Sequence, residues 1–398
     1  MSWLNRERLT VYPPIIVALY IILGAYLLII PGLRGGKAID FMGKPLGADF
    51  SDYWSASSLA LAGDPMAVYD FSRLIATQEA VTGVKFPLFF SYPPIFLLMV
   101  LPLALLPYLA SLAAWLAVTL SIYLLVIRRI APHPLATWLA LAFPGTFQNF
   151  IQGQNGFLSA ALLGGGLLIL DRFPLTGGML LGALSYKPHL AVLIPVALLA
   201  GRYWRALAGV IISAGSLALL SALIFGLGTW KACYQSIPFT AELLNSGSVP
   251  WFKMPTIYAA IRLAGGGLLI AQVLQGIAML SSIIMVSWTW LRISSPASRA
   301  VVLTLAILLC TPYAFDYDLA MLALPLAWLG WEAHVKGWIM RGEKVLLLIG
   351  WLMPIIAPII AKATNLQFGP IILIALIVLA FKRSKLGNLS APLLKPHD

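Results

Sequence analysis

Residues 93–129 read PPIFLLMVLPLALLPYLASLAAWLAVTLSIYLLVIRR, an apolar stretch without one charge until Arg128-Arg129. A bilayer-spanning helix needs ~20 such residues, so Pro93–Ile127 is too long for one straight helix. Pro102 and Pro107 interrupt it, and proline breaks a helix interior. The reading is a short re-entrant or interfacial helix followed by a full span that stops at the two arginines. A chain that carries such a segment is a polytopic membrane protein.

The rest of the sequence agrees. The 398 residues are 61% hydrophobic and 10% charged, whereas soluble domains carry ~25% charged residues. The run Pro13–Pro31 reads as a retained first helix, since no small-residue cleavage motif follows it. Further spans fall at about Leu135–Phe150, Phe157–Leu170, Gly177–Tyr186, Pro188–Ala200, Ala206–Phe225, Leu268–Leu291, Ala300–Tyr313, Leu319–Trp331, Val345–Ile360 and Pro370–Phe381. This makes an all-α polytopic membrane protein with about twelve transmembrane or half-spanning helices. Residues 1–386 form a single transmembrane domain, with a first outer loop at 32–92, a second at 227–267 and a short cytoplasmic tail at 387–398. Two pieces of the first outer loop, Tyr53–Ala62 and Phe71–Val81, read as amphipathic helices lying on the membrane face.

Charge sets the orientation. Of the 26 basic residues, sixteen fall on the side of both termini, and nine of the fourteen acids fall on the other. Short basic loops face the cytoplasm, so both termini are expected inside. The net charge of +12 is then topological, and no nucleic acid is expected as a partner. Cys233 and Cys310 lack metal spacing. No CxxC, HExxH, Walker or dinucleotide-loop signature occurs, and no metal or cofactor is expected.

Polar residues gather on the outer side, in Asp49-Phe50-Ser51-Asp52-Tyr53-Trp54, Ser91-Tyr92-Pro93-Pro94, Gln152-Gly153-Gln154-Asn155-Gly156, Lys187-Pro188-His189 and Asp316-Tyr317-Asp318. Convergence of acids, amides and a lysine at a membrane surface suits a polar head group, and charge placed there is expensive unless it serves a function. Asp49 fits a general base that takes a proton from an attacking hydroxyl, or the N-cap of the following helix. Asp52, three residues on, is a possible second acid. Lys187 fits a phosphate partner or a snorkelling lysine, and His189 beside it a phosphate partner or a satisfied polar residue. Gln152, Gln154 and Asn155 suit sugar hydroxyls or the cap of the helix near Phe157. Asp316 and Asp318 suit sugar hydroxyls or pairing with basic loop residues. Tyr92 joins the sugar- and acceptor-binding candidates, although Tyr53, Trp54, Tyr92, Trp230 and Trp251 also fit an aromatic belt.

The order Asp49-Phe50 … Tyr53-Trp54 … Ala56 … Leu61 … Gly63-Asp64-Pro65 … Tyr69-Asp70, then Tyr92-Pro93-Pro94, Gly153-Gln154-Asn155 and Lys187-Pro188 resembles glycosyltransferase family 87, over about Ile30–Trp331. The resemblance implies a GT-C fold in a bacterial cytoplasmic membrane, with the active site facing the exterior. It implies a polyprenyl-phosphate sugar donor, a glycan or glycolipid acceptor, and an inverting transfer without a metal or nucleotide sugar. The family's outer-loop base would be Asp49. Characterised mannosyltransferases of the family also use a histidine in a late outer loop; here that loop, Thr311–Asp318, has none. Mannose is the first expected sugar, and arabinose or another hexose the alternative. A lipid-linked glycan transporter or flippase is the rival class; such proteins most often carry internal repeats, and no convincing repeat stands in the sequence. A non-catalytic membrane scaffold would be indifferent to its outer-loop carboxylates.

Overall fold

The computed structural model describes residues 6–33, 39 and 43–385. Arg34, Lys37, Asp40 and the tail 387–398 lie outside the described residues. Among the described residues every regular element is helical. In chain order the α-helices are α1 Arg6–Leu33, α2 Ala48–Leu61, α3 Phe71–Thr82, α4 Pro94–Val100, α5 Tyr108–Ile130, α6 Pro134–Leu141 and α7 Pro144–Gln152. There follow α8 Gly156–Ile169, α9 Pro174–Ala183, α10 Pro188–Ala191, α11 Leu193–Ala200, α12 Trp204–Phe225 and α13 Leu227–Ser246. The last are α14 Ile257–Leu263, α15 Leu268–Arg292, α16 Pro296–Cys310, α17 Ala323–Lys336, α18 Glu343–Thr364 and α19 Gly369–Lys385. Proline opens α4, α6, α7, α9, α10 and α16, the position where its missing N–H costs nothing.

Among the described residues five helices are long and apolar enough to cross a membrane: Glu7–Tyr26 within α1, and α5, α12, α15 and α18. Pro94–Leu105, Gly156–Ile169, Pro188–Ala200 and Pro296–Cys310 are shorter apolar helices. The decisive stretch breaks where its prolines stand: α4 runs into a 3₁₀ turn, Leu101–Leu105, and α5 carries Arg128-Arg129 in its last turn. Two expectations change. Leu135–Phe150 is not one span, because Pro144 divides it into α6 and α7. Within 227–267, α13 accommodates Pro238. Second, α2 does not lie on the membrane face. Phe50, Ser51, Asp52, Tyr53, Ser55, Ala56 and Ser57 are buried, and α2 packs against α3, α4, α5 and α7. Small residues such as Ser55, Ala56 and Ser57 let other helices close around it.

The bundle has a basic end and an end where aspartates and lysines mix. His133 after α5 packs on His334 near the end of α17, with ring centroids 5.5 Å apart. Trp288 of α15 meets Phe381 of α19 at 5.6 Å. Arg383 pairs with Glu343 in full burial and donates to the Gly337 carbonyl. These contacts bring Arg128, Arg129, Arg292, Lys336 and Arg383 to one end. The beginnings of α5 and α17 lie at the other end, with Asp49 and Asp318. Close helix packing comes from small residues: a Cβ on Gly178 of α9 would fall 1.9 Å from the Ala206 carbonyl oxygen of α12.

Candidate active site

The site begins with two glycines. Gly47, with φ 61°, precedes α2, and Gly153, with φ 67°, ends α7. Both occupy the left-handed region that favours glycine. A Cβ on Gly153 would lie 2.6 Å from Phe50 Cβ and 3.4 Å from Gly47 Cα, so the two loops touch backbone to backbone. Helix α5 holds both. Its Tyr108 hydroxyl donates to the Leu46 and Gly47 carbonyls at 2.6 and 3.1 Å, and its Trp115 indole donates to the Gly153 carbonyl at 3.1 Å.

This contact sets Asp49 beside Gln154. Gln154 Nε2 donates to Asp49 Oδ2 at 3.0 Å. The amide can point only that way, because its Oε1 accepts the Tyr53 hydroxyl and, at 3.0 Å, the Asn155 N–H. The Tyr53 proton is thereby committed, so the Tyr92 hydroxyl donates to Tyr53 across 3.0 Å. Asp49 caps nothing: the N-cap is Gly47, without a side-chain bond. Burial is the largest influence on its carboxyl and raises it to about 6; the Gln154 bond and Lys253 oppose that, and Asp316 adds to it.

Asp52 faces elsewhere. It is buried against α3, where Gln78 Nε2 lies 3.4 Å from its Oδ1. Burial first and the Asp49 charge second push it well above the usual carboxylate range, which favours the protonated form.

Lys187 is matched. Its Nζ lies 2.6 Å from Asp318 Oδ1 with both side chains 2% exposed, and 5.3 and 5.9 Å from the ring centroids of Tyr317 and Tyr92. The second Asp318 oxygen accepts the Phe315 N–H at 3.0 Å. Asp318 thus pairs with a basic residue, one of the two roles its sequence allowed. Asp316, also buried, accepts the Tyr317 N–H at 3.0 Å and lies 3.6 Å from Lys253 Nζ. Its carboxyl is raised by burial and lowered by Lys253, with Gln152 among its hydrogen-bond partners. Gln152 also donates to the Gln148 carbonyl at 3.1 Å. The His189 ring meets Tyr313 edge to face at 5.8 Å, and its buried Nε2 has no hydrogen-bond partner. Asn155 is fully buried, and both atoms of its amide lack a well-formed hydrogen bond.

The five sequence stretches therefore meet at one end of the bundle. The aromatic residues expected as a belt are partly internal: Tyr53 is buried, and the Trp54 and Trp251 indoles donate to the Leu106 and Leu244 carbonyls at 3.0 and 2.9 Å. Sequence reasoning missed Lys253 and Asn149. Lys253 stands in Pro250-Trp251-Phe252-Lys253-Met254-Pro255, whose bracketing prolines signal a rigid turn. Asn149 does the capping expected of its neighbours. Its Oδ1 accepts the Gly156 N–H at 2.7 Å and its Nδ2 donates to the Gln154 carbonyl at 3.0 Å.

Chemically, the cluster offers a held carboxylate of raised proton affinity, two lysines, buried amides and tyrosines. This suits proton abstraction next to a polar, partly anionic ligand. Among the described residues no three His, Cys, Asp or Glu side chains gather as a metal site. A family model described as glycosyltransferase family 87 matches residues 89–312, more than half of the chain. No curated protein and no solved structure matches.

Proposed function

This chain belongs to glycosyltransferase family 87 and is a membrane glycosyltransferase, and from that premise we propose that it moves a hexose, mannose first, from a polyprenyl-phosphate donor to a glycan or glycolipid acceptor. The reading includes a GT-C architecture of about twelve full or partial crossings, both termini in the cytoplasm and the site on the outer face of a bacterial cytoplasmic membrane. The basic end of the bundle supports that orientation.

In the proposed reaction the donor's tail lies among the helices and its sugar enters the end of the bundle that holds Asp49. An acceptor hydroxyl comes up to Asp49. Its oxygen forms a bond to the anomeric carbon as the bond from that carbon to the phosphate oxygen breaks. Asp49 takes the hydroxyl proton, and polyprenyl phosphate departs with the bonding electrons. One displacement inverts the centre, so a β-linked donor gives an α product. The amides of Gln152, Gln154 and Asn155, with Tyr92 and Asp316, are proposed to meet sugar and acceptor hydroxyls. Lys187 and Asp318 stand beside them as a pair, and His189 is proposed as a phosphate partner. The observation that carries the reading is Asp49 itself: a half-buried carboxylate, oriented by Gln154 and raised to about 6, close to the operating range that a general base needs.

The test is transfer of label from polyprenyl-phosphate mannose to host lipid and glycan extract by the purified protein in liposomes. A new labelled product supports the reading. Label from polyprenyl-phosphate arabinose alone would replace the sugar. Movement of donor across the bilayer without a new bond would replace the activity with transport.

A further inference from the structure

The two lysines of the site differ in what a phosphate would have to displace. Lys187 is enclosed and paired. Its ammonium is 2.6 Å from Asp318, in a contact only 2% exposed, and two tyrosine rings face it. Removing one partner from a buried ion pair leaves an uncompensated charge and is strongly unfavourable.

Lys253 is built differently. Its backbone is fixed, since Lys253 N–H donates to the Pro250 carbonyl at 2.9 Å and Gln367 Nε2 to the Phe252 carbonyl at 3.0 Å. The Arg262 guanidinium covers the Trp251 ring, 4.7 Å from its centroid. Its side chain, in contrast, is 35% exposed, and its contact with Asp316 is long at 3.6 Å. Asp316 keeps the Tyr317 N–H when that contact opens. Lys253 also acts more strongly than Lys187 on the Asp49 carboxyl, so its charge reaches the place where the proton is taken.

We propose that Lys253, rather than Lys187, is the cation that meets the phosphate of the lipid donor, and that Lys187 is a positioning residue that holds the late loop through Asp318. The inference rests on the polyprenyl-phosphate reading above. The donor's phosphodiester carries one negative charge. When its bond to the sugar breaks, the departing monoester gains a second, as monoesters do near neutral pH. A lysine that can leave a long contact is able to follow that growing charge, and such an interaction, stronger in the transition state than in the ground state, accelerates the step.

The experiment measures binding of a short-chain polyprenyl phosphate and of the matched uncharged polyprenol to the full-length protein in nanodiscs. Wild type should bind the phosphate at least ~10-fold tighter than the alcohol. Lys253→Gln should lose that preference while binding polyprenol as wild type does, and Lys253→Arg should keep most of it. A Lys253→Gln protein that retains the wild-type preference overturns the assignment and leaves the donor reading standing. Equal loss of polyprenol binding also counts against it, because removal of a charge leaves the site for an uncharged lipid alone. No preference in wild type overturns the donor reading and the assignment together.

Discussion

Gln154 donates to Asp49 across 3.0 Å and joins two loops 105 residues apart in the chain. The bond favours the ionised carboxylate, so it opposes the burial that raises Asp49 to about 6. A base works only when deprotonated. Transfer should therefore rise with pH through about 6 and level above it. Gln154→Ala removes a stabilising donor and should move this limb to higher pH, with activity lost more at pH ~6 than at pH ~8. A pH–rate profile of wild type and variant checks it, and an unmoved limb counts against Asp49 as the titrating group.

Asp52 sits one helical turn from Asp49 but is turned towards Gln78. Asp52→Asn should keep activity within ~10-fold of wild type, well short of the ~10²–10⁴-fold contribution of a general base. Steady-state transfer rates decide this. A collapse equal to that of an Asp49 variant would make Asp52 the base.

Gly153→Ala introduces a Cβ 2.6 Å from Phe50 Cβ at a φ of 67°. The left-handed conformation alone costs ~1–2 kcal/mol for an L-residue, and the overlap adds to it. The variant should melt several degrees lower and lose most of its activity, since the same contact sets Asp49 beside Gln154. Thermal unfolding in detergent, followed with transfer, reads both effects.

Lys187→Met leaves Asp318 as a buried carboxylate without its cation, and breaking such a pair costs ~3–5 kcal/mol. The double variant Lys187→Met/Asp318→Asn should recover much of the lost melting temperature. If the single variant melts as wild type does, the pair is not structural.

Several of these relationships were legible in the sequence. Pro102, Pro107 and Arg128-Arg129 announced the break and the end of α5, because proline and charge act locally. Polar residues in an apolar chain announced the site, since hydrocarbon does not tolerate them unpaired. The pairing was not legible. Lys187 and Asp318 lie 131 residues apart, and no local pattern joins them. The burial of α2 was hidden because its small and aromatic residues suit an interfacial helix as well as an internal one. Asn149 was overlooked because Gln152, Gln154 and Asn155 crowd the same turn, and only the fold shows which amide does the capping. Lys253 was hidden in a loop whose prolines mark a turn but not its neighbour.

The most direct measurement compares wild type with Asp49→Asn in liposomes supplied with labelled polyprenyl-phosphate mannose and host acceptor extract, after both proteins are shown to melt alike. Asparagine keeps the shape of the carboxyl and its contact with Gln154 but cannot take the proton. The account predicts product with wild type and a fall of at least ~10²-fold with the variant. An Asp49→Asn protein that transfers sugar at the wild-type rate would contradict it.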